Sequence, residues 1–274
     1  MTLWKTTRFD IDLSRPQVMG IVNVTPDSFS DGGRHASTAA ALVHCEQLLR
    51  EGADLLDIGG ESTRPGSLPV SVDEELARVL PVIAAARAFG CPLSVDTNKP
   101  QVMAEALALG VDIVNDIDAL QAPGAPELVA AHGRCGICLM HKRGTPLEMQ
   151  LRPAYDDVVA EVGQFLGARL QALLGLGVAA ERIVLDPGIG FGKSVEHNLD
   201  LLRRQRELAA LGRPLLLGWS RKSTLGSITG RAVDERLPAS VAAALLAVQA
   251  GAAIVRVHDV AATVDALAVW RAIG

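Results

Sequence analysis

Short apolar segments recur along this chain, and nearly every one is followed by polar residues. They cover residues 17–22, 53–58, 92–95, 112–114, 136–140, 182–185, 214–217 and 252–257. The stretches between them carry apolar residues at helical spacing, and strands that alternate with helices indicate a parallel sheet. Eight such units predict an α/β fold, the closed (β/α)8 or TIM barrel, with right-handed crossovers.

Helix start signals occur between the predicted strands. The predicted helices begin near residues 37, 71, 100, 126, 155, 196, 237 and 260. Ser71 and Glu74 have the spacing of a capping box at the second of these helices. Residues 4–13 alternate well enough to predict a short N-terminal strand pair, which we expect to close the N-terminal face of the barrel.

Length and composition favour one globular domain. The chain has 274 residues, of which 49% are hydrophobic, and this fits a single barrel spanning residues 1–274. A formal net charge of −5 argues against a nucleic-acid binder. Residues 237–255 are very apolar, but Gly251 interrupts them, so a buried helix and strand are favoured over a membrane span.

The N-terminus and the cysteines favour a cytoplasmic protein. The first 17 residues are polar and of mixed charge, unlike a secretory signal. The four cysteines show no disulfide-like framework. Cys135 and Cys138 could form half of a zinc site, but no second pair exists, and strand positions three apart face opposite sides.

Three polar residues lie at the C-terminal ends of predicted strands. They are Asp96, Asn115 and Asp186. Carboxylate and amide groups can bind a polar heterocycle that presents adjacent N–H donors. The alternative is that each side chain only caps the loop or helix that follows it. Their shared position favours binding, because active sites of barrels are built from the C-terminal ends of several strands.

A second group of residues is cationic. It comprises Arg64, Arg221, Lys222, Arg256 and His258, with Asn23 as a neutral companion. The end of strands 7 and 8 is the usual phosphate site of this fold. Arg256 and His258 lie two apart, so they face the same side of a strand. Either Arg256 binds an anion there, or it forms a structural ion pair with a core carboxylate.

Residues 188–193 (GIGFGK) form a glycine-rich loop after the sixth strand. The spacing does not match a Walker A phosphate loop. We expect the glycines to let this loop fold tightly beneath a ligand and to present Phe191.

Motifs along almost the whole chain resemble, in order, the signatures of dihydropteroate synthases. They are residues 19–21 (MGI), 23–33 (NVTPDSFSDGG), 57–66 (DIGGESTRPG), 94–97 (SVDT), 115–116 (ND), 140–141 (MH), 186–193 (DPGIGFGK), 220–223 (SRKS) and 256–258 (RVH). The family joins 4-aminobenzoate to 6-hydroxymethyl-7,8-dihydropterin diphosphate and releases diphosphate.

The resemblance also implies roles for individual residues. Those implied to hold the pterin are Asp96, Asn115, Asp186 and Lys222, with Ile117 and Met140 against the ring faces. Those implied to surround the diphosphate are Arg64, Arg256 and His258, with Asn23 as a ligand of Mg2+. Those implied to border the aminobenzoate are Thr63, Pro65, Phe191 and Ser220. Gly218 is implied as a further substrate-binding position. Phe29 and Asp31 are implied to act from the first loop. The implied catalytic set is Asp96, Asp186, Lys222, Arg256 and His258.

Some positions depart from the family pattern, namely Asn98, Asp118, Trp219 and the pair Lys142-Arg143. Two other functions share parts of the pattern. One is methyl transfer from a folate to a corrinoid protein, and the other is pterin binding by an inactive relative. The resemblance further implies a homodimer formed through the last helices, with small-molecule substrates as the other partners.

Overall fold

The computed structural model describes residues 2–25, 33–62, 66–144, 149 and 153–273, without the side chains of residues 33–37. Strands β1 (Leu3–Lys5) and β2 (Asp10–Asp12) form an antiparallel pair. The other eight strands form a closed parallel barrel, as the sequence predicts. They are β3 (Gln17–Asn23), β4 (Leu55–Gly59), β5 (Leu93–Asp96), β6 (Ile113–Asp116), β7 (Gly136–Met140), β8 (Ile183–Asp186), β9 (Leu215–Leu217) and β10 (Ala252–Val257), and β10 pairs with β3 to close the barrel.

Helices follow the barrel strands. They are α1 (Gly33–Arg50), α2 (Val72–Ala86), α3 (Pro100–Ala108), α4 (Ala125–His132), α5 (Val158–Gly175), α6 (Val195–Arg203), α7 (Gln205–Leu208), α8 (Ser223–Thr229), α9 (Leu237–Gln249) and α10 (Val260–Ile273). Ser71 caps α2 by accepting a hydrogen bond from the Glu74 backbone. The Glu74 side chain pairs with Arg78, so only half of the predicted capping box is present.

The helices differ from the sequence prediction at four places, and one is α5, which begins at Val158 rather than near Tyr155. Helix α1 begins four residues earlier, at Gly33 rather than Ser37. The helix predicted from residue 196 divides into α6 and α7, because the backbone at Arg204 leaves helical geometry (φ −107°, ψ 17°). Helix α8 was not predicted, because it is short and buries only Thr224 and Leu225.

The N-terminal strand pair fills one end of the barrel, as expected. Trp4 is fully buried in a cluster with barrel-lining residues such as Met19 and Ile113. Its indole Nε1 donates to the Arg182 carbonyl at 2.9 Å. A Cβ at Gly136 would lie 3.0 Å from that indole nitrogen, so the glycine leaves space for the ring. The C-terminal ends of the barrel strands lie at the opposite end of the barrel.

Cys135, just before β7, and Cys138, within β7, face opposite sides of the strand, as predicted. Cys135 belongs to the core shared by strands and helices, whereas Cys138 belongs to the barrel-lining cluster. All four cysteines of the chain are buried free thiols. In the described part of the chain, none of the helices is long and apolar enough to cross a membrane.

Candidate active site

Polar side chains from several strands meet at the C-terminal end of the barrel. Strand pairing places Asp96 of β5 opposite Asn115 of β6, and Met140 of β7 opposite Asp186 of β8. Asn23 ends β3 with a partly exposed side chain. The predicted ring of strand-end residues is therefore present in the fold, although its ligand contacts remain a prediction.

Arg256 links the carboxylate of Asp57, in the middle of β4, to that of Asp96, at the end of β5. Its Nε donates to Asp57 Oδ2 at 2.5 Å, and its Nη2 donates to Asp96 Oδ2 at 2.7 Å. Asn115 Nδ2 donates to the same Asp57 oxygen at 3.0 Å. Because a carboxylate only accepts hydrogen bonds, this contact commits the Asn115 nitrogen to Asp57 and leaves the amide oxygen for a ligand donor.

Arg256 thus forms the ion pair with a core carboxylate that the sequence offered as one alternative, and its binding of an anion stays a prediction. The ion pairs do not exclude anion binding, because one partner, Asp96, belongs to the predicted pterin site. Asp57 was missed as a site residue. It is fully buried, and its Oδ1 has no hydrogen-bond partner among the described residues. A charged residue inside the apolar run Leu55–Ile58 was the available signal.

Burial shifts the titration of the strand-end groups toward neutral pH. Desolvation raises the pKa of Asp96 to about 7, although the Arg256 charge opposes this rise. Desolvation also raises the pKa of Asp186 to about 6, against the opposing hydrogen bond from the Gly188 backbone. Burial lowers the pKa of Lys222 to about 8. Shifts of this kind are common at catalytic and binding sites.

These pKa shifts predict a pH dependence for the pterin binding that the resemblance implies. We expect the dissociation constant of a dihydropterin to fall as the pH rises from about 5 to about 8, because Asp186 and Asp96 ionise with pKa values of about 6 and 7. Calorimetry across this range measures the effect, and a flat profile would contradict it.

Because both folded-state pKa values lie above the unfolded value of about 4, the two groups stabilise the fold most at low pH. This contribution is lost as the pH rises through about 6 and 7.

An apolar wall adjoins the charged groups. Ile117, Met140, Met149 and Phe191 form one buried cluster. The Lys222 ammonium lies 3.9 Å from the centre of the Phe191 ring, a distance typical of a cation–π contact. A flat ligand with a polar edge could be bound by this wall and by the carboxylates together.

Ser220 and His258 lie beside each other at the end of β9 and β10. Ser220 Oγ is 3.0 Å from His258 Nδ1, and the His258 backbone N–H donates to the same oxygen at 3.1 Å. Gly218 borders open space among the described residues, because a Cβ there would meet none of their atoms within 4 Å. Arg221, which the sequence grouped with the anion-binding cations, instead forms an ion pair with Asp259 at 2.6 Å.

The glycine-rich loop folds tightly, as predicted. A Cβ at Gly188 would lie 1.9 Å from the His141 carbonyl oxygen, and one at Gly192 would lie 2.2 Å from that of Arg143. The buried Lys193 amine joins the same two loops, since it contacts His141 Nδ1 at 2.9 Å and the Gly188 carbonyl at 2.9 Å. The sequence analysis did not predict that Lys193 would connect these two loops.

Five predicted site residues lie outside the described residues, and they are Phe29, Asp31, Thr63, Arg64 and Pro65. Trp219, one of the departures from the family pattern, is buried in the core shared by strands and helices.

Comparisons with known proteins identify the family of this chain. Residues 19–258 match the family described as pterin binding enzyme. The chain is 55% identical to the dihydropteroate synthase of Neisseria meningitidis serogroup B, over 99% of this chain and 98% of that protein. It also resembles the Xanthomonas albilineans enzyme solved with 4-aminobenzoic acid, at a TM-score of 0.91 and 53% identity over 96% of this chain and 95% of the other. The Burkholderia cenocepacia enzyme, solved with 7,8-dihydropteroate, gives a TM-score of 0.90 and 52% identity over 99% and 96% of the two chains. The chain therefore belongs to the pterin-binding enzyme family, and within it to the dihydropteroate synthases.

Proposed function

We propose that this protein condenses 6-hydroxymethyl-7,8-dihydropterin diphosphate with 4-aminobenzoate, forming 7,8-dihydropteroate and diphosphate. One observation carries the proposal. The carboxylates of Asp96 and Asp186 and the amide of Asn115 end strands of one barrel, beside an apolar wall suited to a flat ring. The family membership and the ligands of the two related structures support the same reaction.

The pterin edge is expected to bind the strand-end carboxylates. Asp186 can accept two ring donors, and the free oxygen of Asn115 can accept a third, because its nitrogen is held by Asp57. Ile117 and Met140 contact the ring faces. Lys222, whose amine lies over Phe191, binds an acceptor of the pterin.

The reaction breaks the bond between the exocyclic methylene carbon and the diphosphate oxygen. The bonding electrons leave with diphosphate, and ring nitrogen donation stabilises the positive charge on the pterin. Asp96 or Asp186 stabilises this charge further, while Arg256 and His258, with Arg64, stabilise the leaving group. The arylamine then attacks the methylene and loses a proton, so no protein nucleophile is required.

Mg2+ is a proposed cofactor of this site. Mg2+ prefers oxygen ligands, and it commonly takes one or two from the protein and the rest from phosphates and water. The amide oxygen of Asn23 fits this pattern, since the side chain is partly exposed at the end of β3. Bound there with the diphosphate, the ion would neutralise charge on the leaving group.

The aminobenzoate is expected to bind beside Ser220, Gly218 and Phe191. No described residue lies within 4 Å of a Cβ placed at Gly218, and this space allows an aryl ring to approach the end of β9. Thr63 and Pro65 are expected to border the same ring. Phe29 and Asp31 are expected to complete the closed site when both substrates are bound.

Two competing functions are not favoured. A folate-to-corrinoid methyltransferase needs the pterin site but not the diphosphate cations. An inactive pterin-binding relative is expected to lose catalytic residues, whereas Asp96, Asp186, Lys222, Arg256 and His258 are all retained. Relatives that cover nearly the whole chain at 49–55% identity are dihydropteroate synthases.

We also propose a cytoplasmic homodimer. Large apolar side chains are exposed on the late helices, and they include Ile228, Leu237, Leu246, Val269 and Ile273. Helix α9 packs between α8 and α10, so these side chains belong to one layer of helices. Sedimentation should give a dimer for the native chain and a monomer for Leu246→Glu. The four buried free thiols are compatible with a reducing compartment.

The reaction is tested by product analysis. We expect the purified protein to form 7,8-dihydropteroate from the two substrates when Mg2+ is present, and to lose this activity after chelation. A folded, Mg2+-supplied sample that forms no dihydropteroate would refute the proposed function.

A further inference from the structure

The turn after β6, residues 117–121, has an unfavourable backbone. Ala119 and Leu120 have φ values of 51° and 56°, in the left-handed region that residues with a Cβ avoid. In the described part of the chain, the only other non-glycine residue with positive φ is Arg221. Two consecutive residues in this conformation persist only where surrounding contacts hold them.

Hydrogen bonds hold this turn from inside the fold. Asp116 Oδ1 accepts from the Asp118 backbone at 2.7 Å, and Asp116 Oδ2 accepts from the Leu120 backbone at 2.8 Å. Arg169 approaches from helix α5. Its Nε donates to the Ala119 carbonyl at 2.8 Å, and its Nη2 donates to the Leu120 carbonyl at 2.7 Å. Both strained residues thus have their carbonyls bound by one guanidinium.

The outer side of the turn is held as well. Asp118 accepts a hydrogen bond from Asn98 at 2.7 Å and forms an ion pair with Lys142 at 2.7 Å. Asn98, Asp118 and Lys142 are three of the positions at which this sequence departs from the family pattern. The contacts join the loops that follow β5, β6 and β7, which are the loops next to Asp96, Asn115 and Met140.

The turn starts at Ile117, which packs with Met140 and Phe191 in the apolar wall. Ile117 is two residues from the left-handed pair, so a relaxed turn would shift it. We propose that Arg169 is a positioning residue for pterin binding, which holds the Ala119–Leu120 turn and thereby fixes Ile117 against the ring. This inference rests on the proposed function, because it assigns the wall to the pterin.

The direct test replaces Arg169 by methionine, with Arg169→Lys as a milder variant if the first does not fold. We expect the KM for the dihydropterin diphosphate to rise about tenfold, while the KM for aminobenzoate changes less than twofold. The dissociation constant for the bare dihydropterin, measured by calorimetry, should rise in parallel. This binding measurement does not require turnover, so it separates failure of the inference from failure of the proposed reaction.

A matched control removes a similar arginine at the other end of the barrel. Arg182 Nε donates to the Cys135 carbonyl at 2.8 Å, and its Nη2 donates to the Val129 carbonyl at 2.7 Å. Arg182→Met should lower the melting temperature without changing pterin affinity. If Arg169→Met behaves in the same way, its role is only structural and the inference is wrong.

A glycine should rescue the Arg169 variant. Glycine adopts positive φ without steric cost, so Ala119→Gly should restore at least half of the lost pterin affinity in the Arg169→Met background. Ala106→Gly removes the same methyl group from a buried position in α3, where the backbone is helical. It should give no rescue. Equal effects of the two glycines would overturn the link between the strained turn and pterin binding.

Discussion

Asp186→Asn is expected to weaken binding of the dihydropterin by about 2–4 kcal/mol, while the barrel remains folded. An ionised carboxylate can accept hydrogen bonds from two neighbouring ring donors. An asparagine in the same place accepts with its oxygen only, and its amide nitrogen would face a donor. The Gly188 N–H, which donates to Asp186 Oδ1 at 2.7 Å, can still be accepted by the amide oxygen.

The free energy of unfolding of this variant provides an independent test. Burial raises the pKa of Asp186 to about 6, so above that pH the carboxylate is ionised in the fold, and this ionisation costs folding stability. At pH 8 the free energy of unfolding of Asp186→Asn should therefore be equal to or greater than that of the native chain. Calorimetry and thermal unfolding measure the two quantities, and an unchanged pterin affinity would show that Asp186 is not the pterin anchor.

Asp112→Asn is the matched control. Asp112 is also a buried carboxylate at a barrel strand, but it lies with the N-terminal segment and forms an ion pair with Arg8 at 2.6 Å. Its replacement should lower the free energy of unfolding and leave pterin affinity unchanged. The two aspartates are thus expected to give opposite patterns, which a general loss of folding cannot produce.

Arg256→Ala is expected to affect both stability and ligand selection. Removing the guanidinium leaves the fully buried Asp57 without its charged partner, and we expect the free energy of unfolding to fall by about 3 kcal/mol. Binding of the dihydropterin diphosphate should weaken more than binding of the corresponding alcohol, because only the former carries the anion. Equal losses for the two ligands would mean that Arg256 acts only on the pterin or on the fold.

Two further variants separate the two effects of Arg256. Asp57→Asn combined with Arg256→Ala should recover much of the stability, because the fully buried carboxylate at position 57 is no longer present without a charged partner. It should not recover discrimination between the two ligands. Arg221→Ala removes an ion pair whose arginine side chain is 40% exposed. Exposed pairs contribute about 0–1 kcal/mol, so this variant should be nearly as stable as the native chain.

The barrel itself was predictable because local patterns and topology agree. Each apolar strand segment is short and bounded by turn residues, and each is followed by a segment with helical spacing. The errors occurred where local signals are weak. Helix α8 buries few residues, and the break at Arg204 follows a sequence that is otherwise compatible with a helix.

The placement of the candidate site residues was predictable where a residue ends a strand, and less predictable where contacts between distant residues decide it. Asp96, Asn115 and Asp186 were identified because polar residues at the C-terminal strand ends of a barrel converge. Asp57 interacts with Arg256, which is 199 residues away, and Arg169 binds the Ala119 carbonyl 50 residues away. No local periodicity encodes such contacts, so the partners of these residues could be identified only from the structure.

A crystal structure of the complex with the dihydropterin diphosphate and Mg2+ tests the central claim most directly, namely that the strand-end carboxylates bind the pterin. We predict that the ring lies beside Ile117 and Met140, with its donor edge within hydrogen-bonding distance of Asp186 and Asn115. We predict also that the diphosphate lies near Arg256 and His258. A ring bound elsewhere, or one that reaches this end of the barrel without contacting Asp96, Asn115 or Asp186, would contradict the account.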